Sequence, residues 1–330
     1  MLTAAAMGLK VDKGLLNQIR HRLEEATRIL VTSHVRPDGD AVSSVLAFGL
    51  ALQDRGKQVQ MVLSDGVSAD SKHLEGVNLI SKRLTPPVDL VVTLDSAAQD
   101  RTGSVMSAQS AVDINIDHHI TNTRFAALNL VDPAAVSTTA ILAEHFPALG
   151  LDYSPAVIHA MLNGMLTDTI GFRTPNMTPK ALRIAADLVE KGAELSGLYE
   201  RALLRRSYET LRYWGAGLSK LRRQGDLVWT TLTLEDRKSA AYPGNDDGEL
   251  INNISMVEGA AITILLIEQT HQQVKVSWRS QGEHDVSRLA LQFGGGGHLA
   301  AAGAVIDASL HQAEARVVEA ASTYLQGVLA

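Results

Sequence analysis

Residues 28–54, RILVTSHVRPDGDAVSSVLAFGLALQD, decide how the chain is read. Arg28–Ser33 is a short, largely apolar run of strand length, and Ala41–Asp54 has the pattern of a helix. Pro37 and Gly39 break the chain between them. Working outward, Gln58–Leu63 (QVQMVL), Asp89–Leu94 (DLVVTL) and Val112–Ile116 (VDINI) read as further buried strands. A leading helix is expected over residues 14–27, and the stretch Thr138–Leu203 turns helical with proline or glycine at its breaks. Strands separated by helices predict an α/β fold, a Rossmann-like doubly wound parallel sheet.

The rest of the chain reads differently. After a basic, helical-looking stretch, Arg201–Arg223, come Leu227–Leu234, Ala260–Glu268 and Gln273–Trp278. The last two flank Thr270-His271-Gln272 and predict a hairpin in a smaller mixed-sheet α/β domain. A glycine run follows, and a terminal helix is expected from Leu310 to Gln326. The predicted domains are 1–195, a helical linker at 196–212, and 213–330.

Composition excludes several classes. The 330 residues contain no cysteine, which removes disulfide frameworks, thiolate zinc sites, iron–sulfur clusters and a cysteine nucleophile. Aromatics make up 4%, too few for long stacking surfaces on single-stranded nucleic acid. The formal charge is −6, so attraction of an anionic substrate must be local. No stretch of eighteen or more apolar residues occurs, the opening MLTAAAMGLKVDKG is not expected to act as a signal peptide, and the expectation is a cytoplasmic protein.

The chemistry-bearing residues follow the strands. His34, Asp38 and Asp40 come after the first, Asp95 directly follows the third, and Asp117-His118-His119 follows the fourth. In an open α/β sheet, ligands bind beyond the carboxyl ends of strands, so these groups converge on one edge. Two carboxylates about 4 Å apart repel by roughly 4 kcal/mol at an effective dielectric of 20. Divalent cations relieve that repulsion, and an oxygen-rich site with a minority of imidazoles suits manganese or magnesium, with cobalt or zinc as alternatives. Two such ions can generate a hydroxide and clamp a phosphoryl group. Asp168 lies where an apolar helical stretch breaks, and spacing leaves a helix-capping role open. In the second half, Gly294, Gly295, Gly296 and Gly297 precede His298 and suit a backbone cradle for an anion, with a short helix expected from Leu299 to Ala302. Arg279 ends a predicted strand as a partner for phosphate or base.

These segments, SHVRPDGDAVSS, VVTLDSAAQDRTG, NIDHHITN, LVDPAAVSTTA, MLTDTIGFRT, VSWRS and DVSRLALQFGGGGH, resemble the DHH phosphoesterase superfamily in its two-domain branch. Within it the chain is similar to the NrnA-type oligoribonucleases and 3′-phosphoadenosine 5′-phosphate phosphatases. The resemblance implies one cation on His34, Asp38 and Asp95, and another on Asp40, Asp95, His118 and Asp168. It places His119 beside the scissile phosphate, gives Asp117 the task of orienting histidines, and gives Arg279, the glycine run and His298 the terminal phosphate or base. The implied reaction is in-line hydrolysis of short RNA or DNA oligonucleotides or a small nucleotide, with a second domain closing to select short ligands and a homodimer as the assembly. Competing expectations are a phosphodiesterase for linear or cyclic dinucleotides, a RecJ-like single-strand exonuclease, an inorganic pyrophosphatase and a non-catalytic nucleotide sensor. Ser43, Trp278 and Leu299 depart from the family pattern, and none of them is an implied ligand.

Overall fold

A computed structural model describes residues 12–67, 71–108, 111–246, 249–282 and 284–327. The chain divides into two compact units between Arg205 and Arg206.

The first unit begins with α1 (Lys13–Glu25), capped by Asp12, whose side chain accepts from the Gly14 N–H. Leu16, Ile19 and Leu23 recur at helical spacing and are its buried face. Then come β1 (Arg28–Thr32), α2 (Gly39–Asp54), β2 (Gln58–Val62), β3 (Leu90–Leu94), β4 (Ile114–Asp117) and β5 (Leu128–Val131). The strands form one sheet in the order β2-β1-β3-β4-β5, and every pairing is parallel. Burial is complete along β3 and β4 and spares only Arg28 in β1, as expected of strands covered on both faces. The chain reverses direction across the sheet between β1 and β3. That switch point opens a crevice at the carboxyl ends of the two strands.

Helices α3 (Thr138–His145), α4 (Pro155–Asp168), α5 (Pro179–Glu190) and α6 (Leu195–Tyr199) complete the unit, followed by a π-helical turn over Glu200–Leu204. Helix α2 is almost wholly buried and packs most extensively against α4. Their approach is close: a Cβ at Gly39 would lie 2.5 Å from the Thr167 hydroxyl.

The second unit contains α7 (Tyr208–Leu218), β6 (Arg222–Gln224), β7 (Leu227–Leu232), α8 (Leu234–Ala240), α9 (Leu250–Ile254), β8 (Ile262–Thr270), β9 (Gln273–Ser280), α10 (Val286–Leu291), β10 (Gly296–His298), β11 (Ala301–Ile306) and α11 (Leu310–Leu325). Its sheet runs β10-β11-β9-β8-β7-β6, with β7 and β8 parallel and the other pairs antiparallel. Trp278 is fully buried on one face and stacks on Phe293, ring centroids 6.0 Å apart.

The helix expected at Leu299–Ala302 is absent. Residues 299 and 300 form the turn of a hairpin joining β10 to β11. The glycines allow the two backbones to meet. A Cβ at Gly295 would stand 2.2 Å from the Gly303 carbonyl oxygen, and one at Gly297 2.5 Å from that of Ala301.

Candidate metal centre

Seven side chains converge at the carboxyl edge of the first sheet. His34 follows β1, Asp38 caps α2 by accepting the Ala41 N–H at 3.0 Å, and Asp40 sits in the first turn of that helix. Asp95 comes directly after β3, and its backbone is left-handed with φ +52°. His118 and His119 follow β4, and Asp168 ends α4. Thus Asp168 is a C-terminal helix residue and not the cap of a following helix. The carboxylate there opposes the helix dipole.

The donor atoms form three overlapping triads, each within 4.8 Å: His34, Asp38 and Asp95; Asp40, His118 and Asp168; and Asp95, His118 and His119. Asp95 is central. Its Oδ2 lies 3.6 Å from His34 Nε2, and its Oδ1 lies 3.6 Å from His118 Nε2 and 3.7 Å from His119 Nδ1. His118 Nε2 is also 3.6 Å from Asp168 Oδ2. Asp40 and Asp95 are each only 1% exposed, which sets the electrostatics of the whole cluster.

Burying so many carboxyl groups together shifts their proton affinities in opposite directions. Burial pushes Asp168 up to about 8, with the charges of Asp95 and Asp38 adding to it. Burial likewise drives Asp40 well above the carboxylate range, again reinforced by Asp95 and Asp168. At Asp95 burial acts upward too, but the hydrogen bond with His34 and the charges of His118 and His119 hold the carboxyl below its usual range. Burial disfavours a charged His34, yet Asp95 outweighs it and raises the imidazole. The hydrogen bond to Asp117 lifts His119 to about 9 despite partial burial. Such a set of oxygens and imidazoles, self-repelling when ionised, has the donor chemistry of a divalent-cation site.

Asp117 stands apart from the triads. Fully buried, it accepts from His119 Nδ1 at 2.7 Å through Oδ1 and from Asn122 Nδ2 at 2.5 Å through Oδ2. Asn122 also donates to Asn115 Oδ1 at 2.8 Å, and Asn115 donates to Thr93 Oγ1 at 3.0 Å. This amide chain fixes Asp117, and Asp117 fixes the ring of His119. Neither asparagine stood out in the sequence, although a fully buried Asn115 inside a β-strand is costly unless bonded.

Thr138 and Thr139 were also missed as site residues. The Thr138 hydroxyl donates to Asp95 Oδ1 at 2.9 Å, while the Thr138 N–H and the Thr139 hydroxyl both reach Asp40. Their segment, LVDPAAVSTTA, entered the sequence reading only through the resemblance and with no role attached, and only the fold brings Asp40 and Asp95 to it.

The remaining candidates belong to the second unit. Arg279 is half-buried on β9 and donates to the Trp278 carbonyl at 3.1 Å and to Asn252 Oδ1 at 3.4 Å. In register it pairs with Ala301, which pairs with His298, so Arg279, Ala301 and His298 occupy one line across three strands. The His298 side chain lies outside the described residues. The glycine run is not a simple anion cradle. The N–H groups of Gly294 and Gly295 are donated to the carbonyls of Leu291 and Ala290. Gly296 and Gly297 are exposed on the edge strand.

Among the described residues no further histidine joins these triads. His73 Nε2 lies 3.0 Å from Asn163 Oδ1, and His159 bonds the Pro155 carbonyl through Nδ1. No described helix is long and apolar enough to cross a membrane.

Comparison with known proteins matches both units. Residues 28–166 match the DHH family, N-terminal domain, and residues 239–327 match the DHHA1 domain. The chain is 35% identical over 300 residues to a bifunctional oligoribonuclease and PAP phosphatase NrnA of Thermus thermophilus, covering 88% of each chain. It is 25% identical to a protein of the same description from Bacillus subtilis, covering 84% of this chain and 89% of that one. Among solved structures, an exopolyphosphatase-related protein from Bacteroides fragilis superposes with a TM-score of 0.86 at 26% identity, covering 96% of this chain and 98% of its own.

Proposed function

The chain belongs to the DHH family and carries a DHHA1 domain, and from that premise we propose a metal-dependent phosphoesterase that hydrolyses short oligonucleotides and 3′-phosphoadenosine 5′-phosphate. One observation supports this reading above the rest: four carboxylates and three imidazoles lie in overlapping triads around a buried, shared Asp95. His34, Asp38 and Asp95 would hold one divalent cation, and Asp40, Asp95, His118 and Asp168 the other. Bound there, the pair would acidify water and neutralise charge on a phosphoryl group.

The protein's own groups supply the rest. Asp117 aims His119 and favours its protonated ring, lifting it to about 9 before any cation is bound. Such an imidazolium stabilises phosphoryl charge or donates to the leaving oxygen. In the second unit Arg279 supplies a charge-assisted contact for a terminal phosphate or a base. His298 and the run Gly294, Gly295, Gly296 and Gly297, exposed at all but Gly295, would let a ligand come close to the backbone. Catalysis is assigned to residues 1–195 and substrate holding to 213–330, with 196–212 as the link. Manganese is the resident cation in this reading, with magnesium or cobalt as substitutes, in a cytoplasmic homodimer as the family resemblance implies.

A manganese-supplemented hydrolysis panel tests it, with 3′-phosphoadenosine 5′-phosphate, di- to pentanucleotides, a 24-mer, linear and cyclic dinucleotides, and pyrophosphate. Dinucleotides and the bisphosphorylated nucleoside should be consumed fastest. Equal rates on the 24-mer and a dinucleotide would overturn the preference for short ligands while sparing the metal centre. Hydrolysis of nothing in the panel would favour a nucleotide sensor.

A further inference from the structure

The metal-centre carboxylates do not hold themselves in place. Both oxygens of Asp40 are engaged by the start of α3. Oδ2 accepts the Thr138 N–H at 2.7 Å, and Oδ1 accepts the Thr139 N–H at 3.2 Å and the Thr139 hydroxyl at 2.6 Å. Amides in the first turn of a helix have no partner within it, so a carboxylate there meets donors already aimed outward and a favourable dipole. The hydroxyl of Thr138 turns to the other carboxylate and bonds Asp95 Oδ1. Asp40, Asp95, Thr138 and Thr139 are all at most 1% exposed.

We propose that Thr138 and Thr139 are positioning residues, and that the first turn of α3 is the template that orients Asp40 and Asp95 toward their cations. The proposal rests on the metal-dependent reading given above. Oxygen lone pairs give it a definite form. Oδ1 of Asp40 has two donors and is filled, whereas Oδ2 has one and keeps an electron pair for a cation. At Asp95 the Thr138 hydroxyl restrains rotation of the carboxylate, which directs Oδ2 to the His34 side and Oδ1 to the His118 side. The shared ligand is thereby divided between two sets of partners.

The template is itself anchored. Ser137 caps α3 by accepting the Ala140 N–H at 3.0 Å, and its hydroxyl lies 2.9 Å from that of Thr139. Upstream, the Asp132 N–H bonds the Asp117 carbonyl at 3.0 Å, tying the approach to α3 to the end of β4. From the opposite side, α4 leaves room only because residue 164 is glycine. A Cβ there would stand 2.5 Å from both Asp40 Oδ1 and the Thr139 hydroxyl. The carboxylate of Asp40 is therefore confined between two helices.

Thr138→Val in the full-length chain keeps the shape and the amide bond to Asp40 but removes the hydroxyl from Asp95, and Thr138→Ser returns it. Manganese binding to chelator-stripped protein is measured by titration calorimetry and electron paramagnetic resonance, beside thermal melting of the stripped forms. Loss of a residue that orients a metal ligand typically weakens affinity about tenfold to a hundredfold. The valine variant should show that loss and the serine variant should recover it. A valine variant that folds and binds manganese as tightly as the parent overturns the proposal. Should Thr138→Val not fold, Thr139→Val against Thr139→Ser puts the same question to Asp40, with the same two outcomes. A parent protein that binds no divalent cation instead defeats the underlying metal-dependent reading.

Discussion

The carboxyl edge of β1, β3 and β4 and the β9–β11–β10 edge of the second unit treat polar groups in opposite ways. At the first, Asp40, Asp95 and Asp117 are at most 1% exposed, and each oxygen has assigned neighbours. At the second, Arg279 is half-buried and the glycines at 294, 296 and 297 are exposed. Holding like charges in a dry site is unfavourable for folding, and it is tolerated where electrostatic preorganisation does the chemistry. An open edge imposes little on the fold and leaves ligand identity to a few contacts. Defects at the first edge should therefore appear in kcat, and defects at the second in KM.

The strongest way to break that contrast is Asp95→Ala, which removes the carboxylate common to two of the three triads. Metal stabilisation of a phosphoryl transition state is worth several kcal/mol, so kcat should fall roughly a thousandfold or more. Steady-state hydrolysis with metal analysis of the purified variant checks this. A change confined to KM would mean that the buried edge binds substrate rather than transforming it.

Arg279→Ala sharpens the other side. One charge-assisted hydrogen bond contributes about 1.5–3 kcal/mol, so KM for a dinucleotide should rise about tenfold to a hundredfold. Turnover of a small aryl phosphodiester, lacking a second nucleotide, should stay within about twofold. An equal loss on both compounds would place Arg279 with the catalytic groups.

The mildest expected effect concerns stripped protein and pH. Asp168 has a folded-state pKa of about 8 against a reference of 3.8, so its contribution to stability is lost as pH rises between those values. His119, raised from 6.5 to about 9, contributes fully below 6.5 and loses that contribution as pH passes 9. Asp95 is depressed, so its contribution is present above 3.8 and disappears only in more acidic solution. Between pH 5 and 9 the first two act in the same direction. The stripped protein should melt progressively lower as pH increases, and manganese should flatten the trend. Scanning calorimetry at several pH values decides it, and a stripped protein that gains stability with pH would contradict the charge assignment.

The two edges also differed in how far they could be read from sequence. His34, Asp38, Asp40, Asp95, His118 and His119 were legible because each follows a recognisable strand or turn, and a parallel sheet sends all strand ends to one side. Strand β5 was missed, since LNLV is four residues long with a central asparagine. Thr138 and Thr139 lay inside the resembling segment LVDPAAVSTTA, but a resemblance marks a segment without saying which of its groups meets which carboxylate. Their bonds to Asp40 span 98 and 99 positions of chain, and no local pattern encodes such a meeting. In the second unit the glycine run suggested a loop leading into a helix. Glycine is equally suited to letting two backbones touch, and that use prevailed at Gly295 and Gly297.

The left-handed backbone at Asp95 sets folding against work at a single position. A non-glycine residue in that conformation forfeits about 1 kcal/mol or more, and here it also buries an ionisable group. Glycine would fit the bend more comfortably and leave the sheet firmer. A search for hardier versions of this protein, conducted by heat resistance alone, would therefore drift toward chains that endure and accomplish nothing.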